Sequence, residues 1–231
     1  MTDGRAAWLP RVRRKNAEQE DAPSRVYDER WGEIEDTHRA FIERLLASLQ
    51  PGARVLDAAC GTGKYFGRIL DSGRSVLGVD HSAGHLARAR DKFRDVLTEQ
   101  RELQELLYEE AFDGVLCVDA LEMIPPEDYP TVLADFRGTL RPGGRLYVTI
   151  ERVPEEQVRR GSEWARTSGL PVAEGEVIWE GDLYHFYPSM DRVRGWLAEA
   201  GFEIDEDLEG PWDREEDYAY QHILARARGG G

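Results

Sequence analysis

The stretch Arg54-Val55-Leu56-Asp57-Ala58-Ala59-Cys60-Gly61-Thr62-Gly63-Lys64-Tyr65 constrains the fold more than any other. A short apolar strand at Val55 and Leu56 runs into an acid and a glycine-containing turn, and residues from Lys64 to Leu70 read as a helix. Glycines let a backbone come close to a ligand, and a helix N-terminus offers free N–H groups, so this order suits a nucleotide-like cofactor. The rest of the chain then reads as the remainder of a cofactor-binding α/β domain.

Three loop chemistries compete for the turn. A phosphate-binding loop needs G-x-x-x-x-G-K-[ST], but Ala58 stands at the opening glycine and Tyr65 follows Lys64. A dinucleotide fingerprint starting at Gly61 needs a third glycine where Phe66 stands, and Gly67 comes one residue late. The third chemistry has an acid at the end of the first strand, followed by spaced small residues. Asp57-Ala58-Ala59-Cys60-Gly61-Thr62-Gly63 resembles motif I of the class I S-adenosylmethionine-dependent methyltransferases, with Ala59 at the first glycine position. An acid at Asp57 suits a cofactor that offers an ammonium rather than a pyrophosphate.

At 231 residues the chain can bury one good-sized core. No apolar run approaches the roughly 20 residues that span a bilayer, and the N-terminus lacks a hydrophobic signal core. The two cysteines, Cys60 and Cys117, read as reduced, which suits the cytoplasm. No Cys/His cluster has zinc spacing, so no metal is expected. A net charge of −15 argues against nucleic acid and favours a cationic or neutral small molecule. Residues 1–22, polar and rich in charge, read as a flexible arm, and 23–231 as one domain.

Further elements arrive in order. Helices over 24–50 form a lid segment, in which Tyr27-Asp28-x-x-Trp31 resembles a lead-in that small-molecule methyltransferases fold over their cofactor. The second strand, Ser75–Asp80, ends in an acid about twenty residues past the glycine turn, with Ser82 placed to cap the next helix. The resemblance implies that Asp80 accepts hydrogen bonds from the ribose hydroxyls and that His81 lies at the adenine edge. Glu102 and Leu103 stand where the family contacts the adenine amino group and ring, and Val118 ends the fourth strand. Leu140-Arg141-Pro142-Gly143-Gly144-Arg145-Leu146 matches the family's turn into strand five. The implied fold is a doubly wound, mostly parallel seven-stranded sheet of order 3-2-1-4-5-7-6, its last strand antiparallel. Within it, 53–151 is the cofactor core, 152–188 an insertion covering the crevice, and 189–227 a closing helix and strand hairpin.

The implied reaction is methyl transfer from S-adenosylmethionine, leaving S-adenosylhomocysteine, to an oxygen or nitrogen of a small molecule by in-line displacement. Cofactor contacts are expected at Tyr27, Asp57, Ala59, Gly61, Gly63, Asp80, His81, Glu102, Leu103 and Val118. Trp31, Asp119, Glu122, Trp179, Tyr184 and Tyr187 are expected at an acceptor that is aromatic or cationic. His185, a titratable ring among the aromatics of the insertion, is the expected general base, with Glu151 at the end of strand five as the alternative. A non-catalytic cofactor-binding protein, or another transfer from the same cofactor, remains the rival reading. The assembly expected is a monomer or homodimer, with no membrane partner.

Overall fold

A computed structural model of the chain describes residues 3–21, 27–179, 183–211 and 218–229. Five apolar runs form parallel strands: β1 (Arg54–Ala58), β2 (Ser75–Asp80), β3 (Leu97–Gln100), β4 (Phe112–Cys117) and β5 (Leu140–Arg152). A separate antiparallel hairpin follows, β6 (Glu176–Trp179) with β7 (Leu183–Phe186). The main sheet closes with β8 (Phe202–Pro211) and β9 (Ala219–Ala227) in the order β3-β2-β1-β4-β5-β9-β8, with β9 antiparallel to both neighbours. This is the expected seven-stranded order. β5 begins before the Pro142-Gly143-Gly144 stretch, which is taken up as an irregularity opposite Phe112 and Gly114.

Period-2 alternation along the strands sorts the core into two faces. Val55, Leu116, Val118, Tyr147 and Leu224 pack beneath helix α3 (Asp36–Ser48), through its Phe41, Ile42, Leu45 and Leu46. α3 is therefore part of the core rather than a lid. Leu56, Val115, Leu146, Val148 and Ile150 face the other way. They pack with Val132 and Phe136 of α6 (Tyr129–Thr139), Val193 and Leu197 of α8 (Met190–Glu199), and Tyr184 and Phe186 of the hairpin. Phe66 of α4 (Phe66–Asp71) and Leu86 and Ala89 of α5 (Ala83–Lys92) make a third cluster with Cys60. Ser82 caps α5 as expected, accepting from His85 N–H at 3.0 Å. Ser189 makes no such bond at the start of α8.

The flexible arm is the main correction. Asp3–Asp21 is a helix, α1, and Arg5, Trp8, Leu9, Val12 and Asn16 form one buried stripe at helical spacing. Arg5 donates to both carboxylate oxygens of Glu176, at 2.7 and 2.8 Å, and pairs with Glu127. Tyr184 donates to the same Glu176 at 2.7 Å and meets Trp8 edge to face. Two of the five stripe residues are polar, so the segment reads as solvated until its distant partner carboxylates are placed. The hairpin and α7 (Glu155–Thr167) make up the expected insertion after β5.

Glu176 is fully buried, so removing its cation leaves a desolvated charge. Arg5→Ala should lower unfolding stability by about 3–5 kcal/mol, read as a reduced urea midpoint at unchanged m-value. Retention of the wild-type midpoint would show that α1 is not anchored there.

Candidate active site

The loop after β1 needs unusual backbone. Ala59, Gly61 and Gly63 have φ of 62°, 53° and 78°, in the left-handed region. Ala59 keeps that conformation with a side chain, at a cost of about 1–2 kcal/mol relative to the right-handed form. Phe66 then packs across the loop. A Cβ at Gly78 would come within 2.3 Å of its ring, and one at Gly63 within 2.8 Å. The Asp80 carboxylate ties the neighbouring loops together, one oxygen accepting Gly61 N–H and the other Ser82 N–H, each at 2.8 Å.

These loops border a cavity of about 360 Å³ at the carboxyl ends of the parallel strands. Ala59, Gly61, Asp80, His81, Glu102 and Leu103 line one end. A Cβ at Gly61 would meet nothing within 4 Å, so this backbone stands open, and His81 Nε2 is buried without a hydrogen-bond partner. A concave surface with a fixed carboxylate, open backbone and an unsatisfied ring nitrogen fits a ribose and a base. Trp31, Asp119, Glu122, Glu151 and His185 line the remainder, as expected. They are joined there by Glu35, His38, Lys64, Tyr65, Tyr218 and Tyr220.

Carboxyl side chains are prominent on this wall: Glu35, Asp80, Glu102, Asp119, Glu122 and Glu151 share it with Lys64 and Arg101 and with the imidazoles of His38, His81, His85 and His185. Burial pushes Glu35 up, but its contact with His38 Nδ1, at 3.0 Å, and the Lys64 charge outweigh it and hold its carboxyl at about 2. Asp119, itself at a positive φ of 57°, accepts from Tyr220 hydroxyl at 2.6 Å. Burial raises Glu151 to about 9, helped by the Asp119 charge, while the Tyr187 hydrogen bond opposes it. Burial also lowers His185 to about 4, leaving a neutral imidazole at physiological pH.

His185, Tyr187 and Glu151 form a connected group. His185 Nδ1 lies 2.8 Å from Tyr187 Oη and 3.4 Å from Glu151 Oε2, and the Tyr187 hydroxyl donates to Glu151 Oε1 at 3.5 Å. Nε2 of His185 is buried with no hydrogen-bond partner. In the tautomer that carries its proton on Nδ1, beside the Tyr187 hydroxyl, Nε2 keeps a lone pair, which is the arrangement a proton acceptor needs.

Several expected residues lie elsewhere. Tyr184 turns into the core and is held by Glu176, because alternation on β7 puts it on the face opposite His185. Tyr187 stands behind His185 rather than on the cavity wall, and Trp179 Nε1 donates to its hydroxyl at 3.1 Å. Val118 packs under α3. Asp57 is buried beneath the loop and raised well above the usual carboxylate range, first by burial and then by the Asp80 charge. Gly63 is covered by Phe66. The Tyr27 side chain lies outside the described residues; its neighbour Asp28 accepts from Lys92 Nζ at 2.9 Å and bonds Thr62 of the loop. Tyr220 had no local signal, since only sheet order carries β9 beside β5.

The Glu151 carboxyl has an ordinary value of 4.5 and rises to about 9 in the fold. Its neutral form therefore contributes stability that is complete below pH 4.5 and is lost as pH rises through about 9. Glu151→Gln should remove this dependence, so the stability gained by the variant over wild type grows steadily across that window in urea titrations. A constant difference across it would contradict the assignment.

Known proteins resemble the chain in sequence and shape. Residues 55–144 match the family model of a methyltransferase domain. Demethylmenaquinone methyltransferase of Symbiobacterium thermophilum is 32% identical over 213 residues, covering 81% of this chain and 82% of the relative. Ubiquinone biosynthesis O-methyltransferase of Xanthomonas axonopodis pv. citri is 32% identical over 188 residues, 74% of this chain and 73% of the relative. The crystal structure of Burkholderia thailandensis 1,6-didemethyltoxoflavin-N1-methyltransferase, with its substrate and S-adenosylhomocysteine bound, superposes with a TM-score of 0.70. It is 21% identical, and the match spans 96% of this chain and 90% of that one.

Proposed function

Because the chain belongs to the class I S-adenosylmethionine-dependent methyltransferases, we propose that it methylates an oxygen or nitrogen nucleophile of a small molecule. The cofactor is S-adenosylmethionine, which supplies a methyl group already made electrophilic by its sulfonium. Asp80, Gly61, His81, Glu102 and Leu103 would hold its nucleoside part. The protein's remaining task is to align the acceptor, exclude water and take a proton.

The observation that carries this reading is His185, which lines the cavity with its Nε2 unpartnered and its Nδ1 beside the Tyr187 hydroxyl, itself bonded to Glu151. His185 takes the proton of the acceptor's O–H or N–H at Nε2, and the Tyr187 hydroxyl and Glu151 stabilise the imidazolium that forms. The lining supports an acceptor that is aromatic or cationic: Trp31, Tyr218 and Tyr220 supply rings, and Asp119 and Glu122 supply negative charge. The relative named as a ubiquinone biosynthesis O-methyltransferase supports an oxygen acceptor. Two buried free cysteines support a reducing, cytoplasmic setting.

The test is a metabolite-extract assay with methyl-labelled cofactor and mass identification of the product. A labelled oxygen or nitrogen is expected, and cofactor binding with no labelled product would favour a non-catalytic protein. Asp80→Asn should weaken S-adenosylhomocysteine binding roughly tenfold or more in calorimetry and lower the melting temperature modestly, because one of the two backbone N–H groups it accepts loses its acceptor. Unchanged affinity would remove Asp80 from the ribose. His185→Ala should lower kcat by roughly 10²–10⁴-fold with cofactor affinity unchanged. Full kcat in that variant would remove His185 from the chemistry.

A further inference from the structure

A second cavity, of about 430 Å³, lies behind the wall made by Glu151 and Tyr187. It is bounded by α7, by Glu174 and Gly175 at the entry to β6, and by the start of α8. Apart from Glu151 and Tyr187, its lining takes no part in the chemistry proposed for the first cavity. Arg152, Arg159, Arg166 and Arg192 stand there against Glu155 and Glu174, in a chain whose net charge is −15. A local reversal of sign in so acidic a protein concentrates anions at that place.

The four arginines differ in availability. Arg159 is engaged by Glu156, with two bonds from its Nη2 at 2.6 and 2.7 Å. Arg152 reaches Glu209 only at 3.8 Å. Arg166, exposed in the last turn of α7, has no ion pair among the described residues. Arg192 lies over the Trp196 ring, its Cζ 4.5 Å from the centroid, an arrangement that orders the guanidinium plane and leaves its edge donors free for an oxyanion. The N-terminus of α8 opens on the same cavity through Ser189, whose side chain does not cap it. Asp191, the acid of that first turn, has a side chain 98% exposed and pairs with Arg194. Glu151, the third carboxyl on the wall, is kept neutral by its burial and adds no opposing charge at physiological pH.

We propose that this cavity is a binding site for a small carboxylate- or phosphate-bearing anion, held by Arg166, Arg192 and the start of α8. The anion is either an acidic group of the methyl acceptor, reaching past Tyr187, or a separate effector. In both cases occupancy is transmitted to the base, because Tyr187 lines this cavity and its Oη is 2.8 Å from His185 Nδ1.

Inorganic phosphate is the probe, titrated calorimetrically into the full chain at low ionic strength. Saturable binding is expected, weakening with salt and falling roughly tenfold or more in Arg166→Gln/Arg192→Gln, with S-adenosylhomocysteine affinity unchanged. Because Arg192 also packs on an aromatic ring, the single variant Arg166→Glu, at an exposed position, repeats the test with less risk to folding. Arg160→Gln, outside the cavity, should leave phosphate binding intact. Absence of binding by the wild type, or equal loss in Arg160→Gln, would overturn the proposal. In the methyl-labelling assay, phosphate that raises KM at constant kcat assigns the anion to the acceptor, and phosphate that changes kcat at constant KM assigns it to an effector.

Discussion

One carboxylate joins the parts of this fold that matter for chemistry. Asp80 ends β2 and accepts one backbone N–H from the loop after β1 and another from the start of the segment leading into α5. Each bond fixes a loop that would otherwise be free to sample several turns. With both loops held, the open backbone at Gly61 and the ring of His81 are set on one cavity wall. The same charge also acts downward. Asp57, buried beneath the loop with its Oδ2 unpartnered, is raised well above the usual carboxylate range by burial and then by the Asp80 charge. Of these two carboxyls on neighbouring strands, Asp80 is given two backbone donors while Asp57 is left to the cost of burial.

Much of this was legible because it is local. Strand, turn and helix follow one another within a dozen residues, and Asp80 sits at the end of the adjacent strand, so sheet order alone brings it to the turn. The strand positions were readable for the same reason, since each run of apolar residues is bounded by glycines, prolines or a capped helix; their order in the sheet was implied by the family resemblance. The left-handed Ala59 shows how far such a motif bends. Its neighbours Gly61 and Gly63 provide freedom where the loop is tightest, and the alanine position carries its strain without changing the turn.

What was not legible depends on partners far away in sequence. Arg5 and Glu176 are separated by 171 residues, and without that pair the stripe on α1 looks too polar to bury. The aromatic run Tyr184-His185-Phe186-Tyr187 was readable as composition but not as geometry. Once it forms a strand, alternation sends Tyr184 and Phe186 into the core, and places His185 and Tyr187 where they can meet each other. His185 and Glu151 could each be singled out from sequence. The hydroxyl that joins them could not, because Tyr187 approaches Glu151 from across the insertion.

Burial displaces the two ends of that connection in opposite directions and for one reason. A desolvated carboxyl prefers to keep its proton and a desolvated imidazole prefers to lose one, so Glu151 rises to about 9 and His185 falls to about 4. The usual order of the two groups is inverted, and both are neutral at physiological pH. A positive charge entering the acidic cavity changes this balance. At roughly 4 Å and an effective dielectric of about 20, a unit cation is worth about 4 kcal/mol to a carboxylate, enough to bring a group near 9 below neutrality. An ionised Glu151 would in turn favour a protonated His185 through Tyr187. With Glu151 and His185 both neutral, the wall avoids an uncompensated buried charge, and any cation the acidic cavity takes up would favour the ionised form of Glu151 first.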